Sequence, residues 1–371
     1  MQRALQDGFK FVSSMPIEQE KIDLGYNDDN EKYDFIIKAY ENKESYDYAK
    51  RLAIDSDVVI QGGSTNEFIK DRLTLTDKLT FRYIERLFKR GHRDYLNPAV
   101  VAKYYDLHTR SKNSNFYLLC AGGYVAADCK RLRAYKDKMY KWGYFPQTQN
   151  LDINKVISEK STTPVKIMWA GRLIDWKHCE QAIETARLLD KDGYDFILNI
   201  VGIGTMQEEL INKAKDYGIY GEKVFFLGSM SPDEVREEMK KSSIYLITSD
   251  FNEGWGAVLN ESMNSGCAVV VSHAVGAVPF LVKDGENALI YKNGKTKDLY
   301  LKTKKLLDDA NLRKTISKNA YYTIINQWNA ENATKRLLET IEQLQEGKCA
   351  TDYLHGPCSR AEIIENNWYK Q

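Results

Sequence analysis

The chain has 371 residues, 43% hydrophobic and 28% charged, with 53 Lys and Arg against 52 Asp and Glu for a formal net charge of +1. At about 150 residues per domain this length predicts two domains, and the apolar fraction fills more than one core, which excludes a disordered, collagen-like or coiled-coil chain. The charge balance excludes a whole-chain field of the kind that draws nucleic acid.

In chain order, the first strand-length apolar run is Phe9 to Ser13. It is followed by Val58 to Gln61 before Gly62-Gly63-Ser64, by Leu79 to Ile84, and by Phe116 to Cys120 before Ala121-Gly122-Gly123. Each reads as a buried strand followed by a helical pattern, which predicts an α/β domain over residues 1–150. The polar, aperiodic stretch Gln147 to Thr163 reads as a linker. Beyond it, strands are predicted at Lys166 to Ala170, Phe196 to Val201, Val224 to Leu227, Ile244 to Thr248 and Ala268 to Val271, each ending in Gly, Ser or His. Helical patterns at Cys179 to Leu189, Met206 to Tyr217 and Pro232 to Lys240 lie between them. The last opens with Ser231 as N-cap, Pro232 at the first helical position and Glu234 three residues after the cap, a capping-box signature. These units predict an open, doubly wound α/β domain over 151–346. Ala330 to Gln345 reads as an amphipathic helix, and the tail 347–371 as a segment that rejoins the first domain and ends in a helix over Ala361 to Tyr369. No repeat at a solenoid period and no low-complexity tract occurs.

Charge is uneven along the chain. Residues 82–141 hold 14 Lys and Arg against 5 Asp and Glu, whereas residues 1–50 hold 7 against 11. A solvated helical face is the ordinary account of such a run; contact with an anionic membrane surface or a phosphorylated acceptor is the functional alternative. No run of 18 apolar residues occurs, and the opening Met1 to Asp7 has no signal-peptide core. The expectation is a cytoplasmic chain, peripheral on the inner face of the cell membrane if the basic segment meets lipid. Six cysteines, at 120, 129, 179, 267, 349 and 358, include no C-x-x-C pair, so free thiols and no zinc are expected. The five histidines lack paired spacing; only His108 and His273 fall near expected cleft edges.

In open parallel sheets ligands bind beyond the carboxyl ends of the strands. Two strand exits stand out. Gly171-Arg172-Leu173 followed by Lys177 places a guanidinium and an ammonium where they can share a phosphate or diphosphate; an exposed Arg and Lys in a loop are the ordinary alternative. Glu253-Gly254-Trp255-Gly256-Ala257-Val258-Leu259-Asn260-Glu261 then combines a glycine turn with a helix starting near Trp255, whose free amides and positive end would face an oxygen-rich ligand. Glu253 would sit at the mouth of the cleft, and Glu261 would accept hydrogen bonds from a vicinal diol. Their alternatives are a helix-dipole complement and a solvated helix residue.

Residues 171–289 resemble the nucleotide-sugar-binding domain of retaining GT-B glycosyltransferases of family 4, the glycosyl transferases group 1, and the segments Lys141-Trp142-Gly143-Tyr144-Phe145-Pro146 and Gly356-Pro357-Cys358-Ser359 resemble a bacterial polysaccharide-type subgroup. The parts stand in the family's order: Gly171-Arg172-Leu173 with Lys177, Val201-Gly202-Ile203-Gly204, Phe226-Leu227-Gly228, the E-x7-E stretch from Glu253 to Glu261, Ser265-Gly266-Cys267-Ala268-Val269-Val270, and Asp284-Gly285-Glu286-Asn287-Ala288. The resemblance implies two Rossmann-like domains facing across a cleft and transfer of a sugar, with retention and without metal or other cofactor. A nucleotide-sugar donor, UDP-linked by preference, and a glycan or lipid-linked acceptor are the implied partners. It further implies that Arg172 and Lys177 hold the donor diphosphate, that Glu253 and the amides from Gly254 through Trp255 and Gly256 to Ala257 hold the transferred sugar, and that Glu261 binds the ribose. Ser229 and Met230 would take the base, with Gly171 and Gly202 approaching the donor.

The pattern departs from the family in places. The chain opens in what reads as the first helix, so the first strand of the first domain is expected to be absent. Where the family often has a His after a first-domain strand, the exit after Leu79 to Ile84 reads Glu85-Arg86, here acceptor-side candidates with a surface ion pair as the alternative. Pro279-Phe280 replaces the common Pro-Glu. Rival readings are weaker. Gly202-Ile203-Gly204 lacks the third glycine of a dinucleotide fingerprint, with Gln207 in its place, and Asp55-Ser56-Asp57 precedes its strand rather than following it. A nucleotide-sugar epimerase of GT-B shape and a non-catalytic GT-B module that binds nucleotide sugar or glycan are the remaining alternatives.

Overall fold

A computed structural model describes residues 1–19, 22, 30, 32–63, 65–160, 162–348 and 353–370. Ser64, at a predicted strand exit, and Cys349 lie outside the described residues. Among those described, every strand pairing in the named sheets is parallel.

Strands β1 (Phe11–Ser13) and β2 (Ile36–Lys38) form a small separate sheet. Strands β3 (Val59–Gly62), β4 (Thr80–Ile84), β5 (Phe116–Ala121) and β6 (Met139–Trp142) form a four-stranded sheet in sequence order. The remaining strands, β7 (Val165–Ala170), β8 (Phe196–Val201), β9 (Val224–Gly228), β10 (Ile244–Ile247), β11 (Ala268–Ser272) and β12 (Leu289–Tyr291), form a six-stranded sheet in the order β12-β11-β10-β7-β8-β9. Alternation along β7 sends Ile167 and Trp169 into one buried cluster with helices Cys179–Lys191 and Thr296–Asp308, and Met168 into another with Met239, Leu259 and Met263. Side chains of period two on both faces make this a doubly wound layer.

Strands β2, β6 and β12 have no counterpart among the sequence expectations. β2 and β12 are three residues each, too short to show a period. The expected linker contains a helix, Ile153–Glu159, opened by Asp152, whose carboxylate accepts from the Asn154 and Lys155 amides. The expected helix over Ala361 to Tyr369 does not form. The residues leading into it, 358–361, run beside β6: Lys141 N–H donates to the Ser359 carbonyl and Cys358 N–H to the Lys141 carbonyl, both at 2.8 Å, and Ala361 N–H reaches the Met139 carbonyl at 3.0 Å. A free sheet edge offers the backbone partners that a nine-residue helix at a chain end would have to nucleate alone.

The helix Ala330–Gln345 does not pack with 151–346 as a single unit. Leu337 and Ile341 join Leu79, Phe81, Leu119 and Tyr140 on the four-stranded sheet. Each such buried aliphatic side chain contributes about 1.5–3 kcal/mol, so the crossing ties the two sheets together. The basic run in residues 82–141 is partly internal: Arg82, Arg86 and Lys141 are buried. The five described cysteines are free and buried.

Candidate active site

Strand β7 is flanked by β8 on one side and β10 on the other, so the connections leaving it and β10 diverge at the centre of the sheet. Such a switch point opens a crevice at the carboxyl ends of the strands. The exits of both strands are locked together there. Trp169 Nε1 donates to Thr248 Oγ1 at 2.8 Å, and Thr248 Oγ1 donates to the Lys177 carbonyl at 2.6 Å. The Asp250 N–H donates to the Trp176 carbonyl at 3.0 Å. This lacing fixes the turn Asp175–Lys177 against the β10 exit and brings the Lys177 ammonium onto the Glu253 carboxylate. Ser249 Oγ donates to the same Glu253 oxygen at 3.0 Å, and the Trp176 ring lies 4.6 Å from Lys177 Nζ. The two charged side chains are 15% and 13% exposed, enough for a ligand to reach them while water screens them little.

Arg172 is exposed one loop earlier. Its loop is braced by the β8 exit: Leu173 N–H donates to the Ile203 carbonyl at 2.9 Å, and a Cβ on Gly202 would overlap the Gly171 carbonyl. Gly202 N–H donates to the Gly228 carbonyl at 2.7 Å, which sets the β9 exit with exposed Ser229 and half-buried Met230 alongside.

The helix expected near Trp255 begins at Ala257 and runs Ala257–Asn264, with Gly256 as N-cap at φ 89°, a conformation glycine adopts without strain. Among the described residues the amides of Gly254, Trp255, Gly256 and Ala257 donate to no acceptor, although the first three residues are buried. Buried donors left open at a helix start are an anion- or hydroxyl-binding arrangement. The Trp255 side chain itself is core: its Nε1 donates to Asn260 at 2.9 Å, and its ring packs near Tyr144, Phe280 and Trp328. Glu261 lies 3.4 Å from Arg236 Nη1; burial pushes its carboxyl up from the ordinary range, and the guanidinium opposes that.

Across the cleft, Glu85 leaves the end of β4 and leans over Gly254, where a Cβ would overlap its carboxylate. Tyr144 Oη donates to Glu85 Oε1 at 2.8 Å and Lys89 Nζ to Glu85 Oε2 at 2.9 Å. Burial and the Glu85 charge raise the Tyr144 hydroxyl above its usual range, so it is a donor at neutral pH. Arg86, expected beside Glu85 on the acceptor side, leaves the strand in another direction and donates to Asn366 Oδ1 at 3.3 Å. It is buried, 3.6 Å from Asp128, and stacks against Tyr124 and Phe251. Alternating side chains at the end of a strand send neighbours to opposite faces. His108 is likewise not at a cleft edge: it is buried in the first half with Tyr135 Oη 3.0 Å from Nδ1, and burial followed by the Arg82 charge depresses it to about 3.

Several site residues carried no signal in the sequence. His178, N-capping Cys179–Lys191 at φ 52°, contacts Glu180 at 2.9 Å and Asp250 at 3.6 Å. Hydrogen bonds to Asp250 and Glu180, against burial, push its imidazole up to about 9. Tyr144, Ser249 and Arg236 are equally tertiary; only the polar strand exit at Ser249 hinted at one of them. Among the described residues no group of three or more His, Cys, Asp or Glu is placed to hold a metal ion. Two cations, a carboxylate and a row of open amides around one crevice suit a diphosphate joined to a hydroxyl-rich ring.

The glycosyl transferases group 1 family model matches residues 152–323. An uncharacterized glycosyltransferase of Methanocaldococcus jannaschii is 28% identical over 207 residues, 56% of this chain and 52% of that protein. The lipopolysaccharide core biosynthesis glycosyltransferase LpsE of Rhizobium meliloti is 26% identical over 175 residues, 47% of this chain and 49% of that protein. The chain thus spans about half the length of these curated relatives. Among solved structures, Anabaena HepE in complex with UDP and glucose superposes with a TM-score of 0.64 at 15% identity, covering 90% of this chain and 98% of that one. WaaG, a glycosyltransferase involved in lipopolysaccharide biosynthesis, gives 0.54 at 16% identity, covering 78% and 80%. The fold is accordingly GT-B, and residues 152–323, with the six-stranded sheet and the switch-point crevice, match the model of the glycosyl transferases group 1 family.

Proposed function

We propose that the chain transfers a sugar from a nucleotide-sugar donor, UDP-linked by preference, to a glycan or lipid-linked acceptor in cell-surface polysaccharide synthesis, with retention and without metal. The observation that carries this reading is the switch-point crevice, where Lys177, Glu253 and the open amides of residues 254–257 converge beside Arg172. Lys177 and Arg172 would hold the diphosphate and offset the charge that grows on it as the bond to the anomeric carbon breaks, the work a metal does elsewhere. Glu253 and the amides would hold sugar hydroxyls, Glu261 the ribose, and the Ser229–Met230 loop the base. The acceptor oxygen would attack from the face the leaving group vacates, its proton passing to a phosphate oxygen, so no enzymic nucleophile is assigned. Glu85, with Tyr144 donating to it, faces the same point and is the acceptor-side candidate.

UDP in the HepE complexes and the polysaccharide roles in the names of LpsE and WaaG support the donor and pathway class. Among the described residues no helix is long and apolar enough to cross a membrane; a cytoplasmic site at the inner membrane face belongs to the same proposal. A thermal-shift and nucleotide-release panel of UDP-, GDP- and ADP-sugars, with and without magnesium, tests it. Stabilisation by one nucleotide class with magnesium-independent release supports the transferase. Binding without turnover, even with acceptor glycans, would favour a non-catalytic module, and donor interconversion without acceptor an epimerase.

A further inference from the structure

Two adjoining cavities of about 530 and 490 Å³ share Phe251, Asn293 and Asn366 as walls and form one trough. Phe251 stands two residues before Glu253. Lys89 in the trough wall pairs with Glu85, which leans over Gly254, so the trough lies beside the proposed sugar position. It follows the exits of β10, β11 and β12, while the loop assigned to the base follows β9 at the opposite edge of the sheet. Donor and trough would meet at Glu253 from opposite sides.

Cations dominate its lining. Lys89, Arg90 and Arg93 stand in one cavity, Lys292 and Lys370 in the other, and among the described residues the sole lining carboxylate is Asp250. Asp250 is committed to His178 and to the Asn252 amide, Lys89 to Glu85, and Arg90 to Asp94 at 2.9 Å. The side-chain cations of Arg93, Lys292 and Lys370 form no ion pair among the described residues, although Lys292 N–H donates to Asp298 Oδ2 at 2.9 Å and Tyr369 Oη to Asp284 Oδ2 at 3.2 Å. Three side-chain cations without an ion-pair partner among the described residues stand around one concavity, and they make it attract anions. The rest of the lining is of another kind: the ring of His273 lies 5.4 Å from that of Phe251 and 5.8 Å from that of Tyr369, and four asparagines complete the walls. Apolar ring faces beside neutral amides suit a pyranose, which presents C–H faces and hydroxyl edges. His273 is wall rather than charge. Its Nδ1 accepts from Asn293 N–H at 2.9 Å, so the proton sits on Nε2, 3.3 Å from the Asn366 carbonyl.

We propose that this trough holds the acceptor, and that the acceptor is an acidic saccharide, with its ring against Phe251 and Tyr369 and its carboxylate or phosphate on Lys292, Lys370 and Arg93. The inference rests on the transferase reading for the word acceptor, but the binding site itself does not. The test uses the full chain and calorimetric titration with methyl glucoside, methyl glucuronoside, methyl glucoside 6-phosphate and inorganic phosphate, with UDP titrated separately. The acidic glycosides are expected to bind about tenfold or more tightly than the neutral one, as charge-assisted hydrogen bonds require. That advantage should fall with added salt and disappear in Lys292→Ala/Lys370→Ala, with UDP affinity unchanged as the control for folding. Whichever acidic glycoside binds better decides between a uronate and a sugar phosphate. Equal affinity for neutral and acidic glycosides, an unchanged double variant, or inorganic phosphate binding as tightly as the glycosides would overturn the proposal. UDP binding without glycoside binding removes the trough alone; glycoside binding without UDP binding removes the transferase reading and leaves the trough.

Discussion

The chemistry proposed for the crevice turns on single side chains. Lys177→Ala removes one charge-assisted contact to the diphosphate, and UDP affinity should fall about 10- to 100-fold by titration; equal affinity would take Lys177 out of the phosphate site. Glu253→Gln keeps the size of the side chain and loses the charge that pairs with Lys177. Turnover should drop by about two orders of magnitude or more while UDP affinity changes less than about threefold, the pattern of an interaction used in the transition state. His178 tests the lacing behind the site. Folding raises its imidazole from 6.5 to about 9, so the stability it contributes is complete below about pH 6.5 and is lost as pH climbs through about 9. The stability gap between the protein and His178→Asn, a residue that accepts the left-handed backbone, should therefore shrink over that window. With the ring 30% exposed, solvent screening holds the gap to about 1–2 kcal/mol. Urea melts giving the same gap at pH 6 and pH 9.5 would dismiss the pairing.

At the scale of elements, the amide row exists because one helix starts late. Gly256 holds φ 89°, and a Cβ there would meet Val275 Cγ1 at 2.7 Å. Gly256→Ala should cost about 1–3 kcal/mol in unfolding free energy and weaken donor binding as well, because relief of the strain moves the open amides. An unaltered melting temperature would show that the turn relaxes freely. Elements with local signals were legible beforehand. The helix Pro232–Lys241 carries its whole capping box in sequence, Ser231 and Glu234 bonding reciprocally as expected. The segment after Arg360 had helical composition but was settled by the edge of β6, a partner more than 200 residues away.

At the scale of the whole molecule, the described residues of 330–370 link the four-stranded and six-stranded sheets. The helix Ala330–Gln345 crosses to the four-stranded sheet, Lys141 pairs with Glu362, and Trp368 Nε1 donates to Tyr124 Oη at 2.9 Å. Tyr124 in turn donates to the His273 carbonyl of the six-stranded half. Removal of residues 356–370 exposes the β6 edge and opens the wall of the trough, and should lower stability by about 2–4 kcal/mol through the lost backbone bonds and buried rings. Scanning calorimetry checks this; a melting temperature like that of the full chain would show that the tail only rests on the surface.

The sequence alone determined what local physics encodes: strand-length apolar runs, helix caps, and the glycines and charges at strand exits. Strand exits and the family resemblance together name Arg172, Lys177, Glu253 and Glu261 as candidates before any fold is known, because the exits of a parallel sheet share one edge. Only the tertiary structure decided which strands stand together at the switch point, and thus that Lys177 meets Glu253 across 76 positions. It also turned Arg86 inward to Asp128 while Glu85 faced the crevice, buried His108, and brought His178 to Asp250. Those outcomes depend on burial and on partners remote in the chain, and neither is written in the spacing of neighbouring residues.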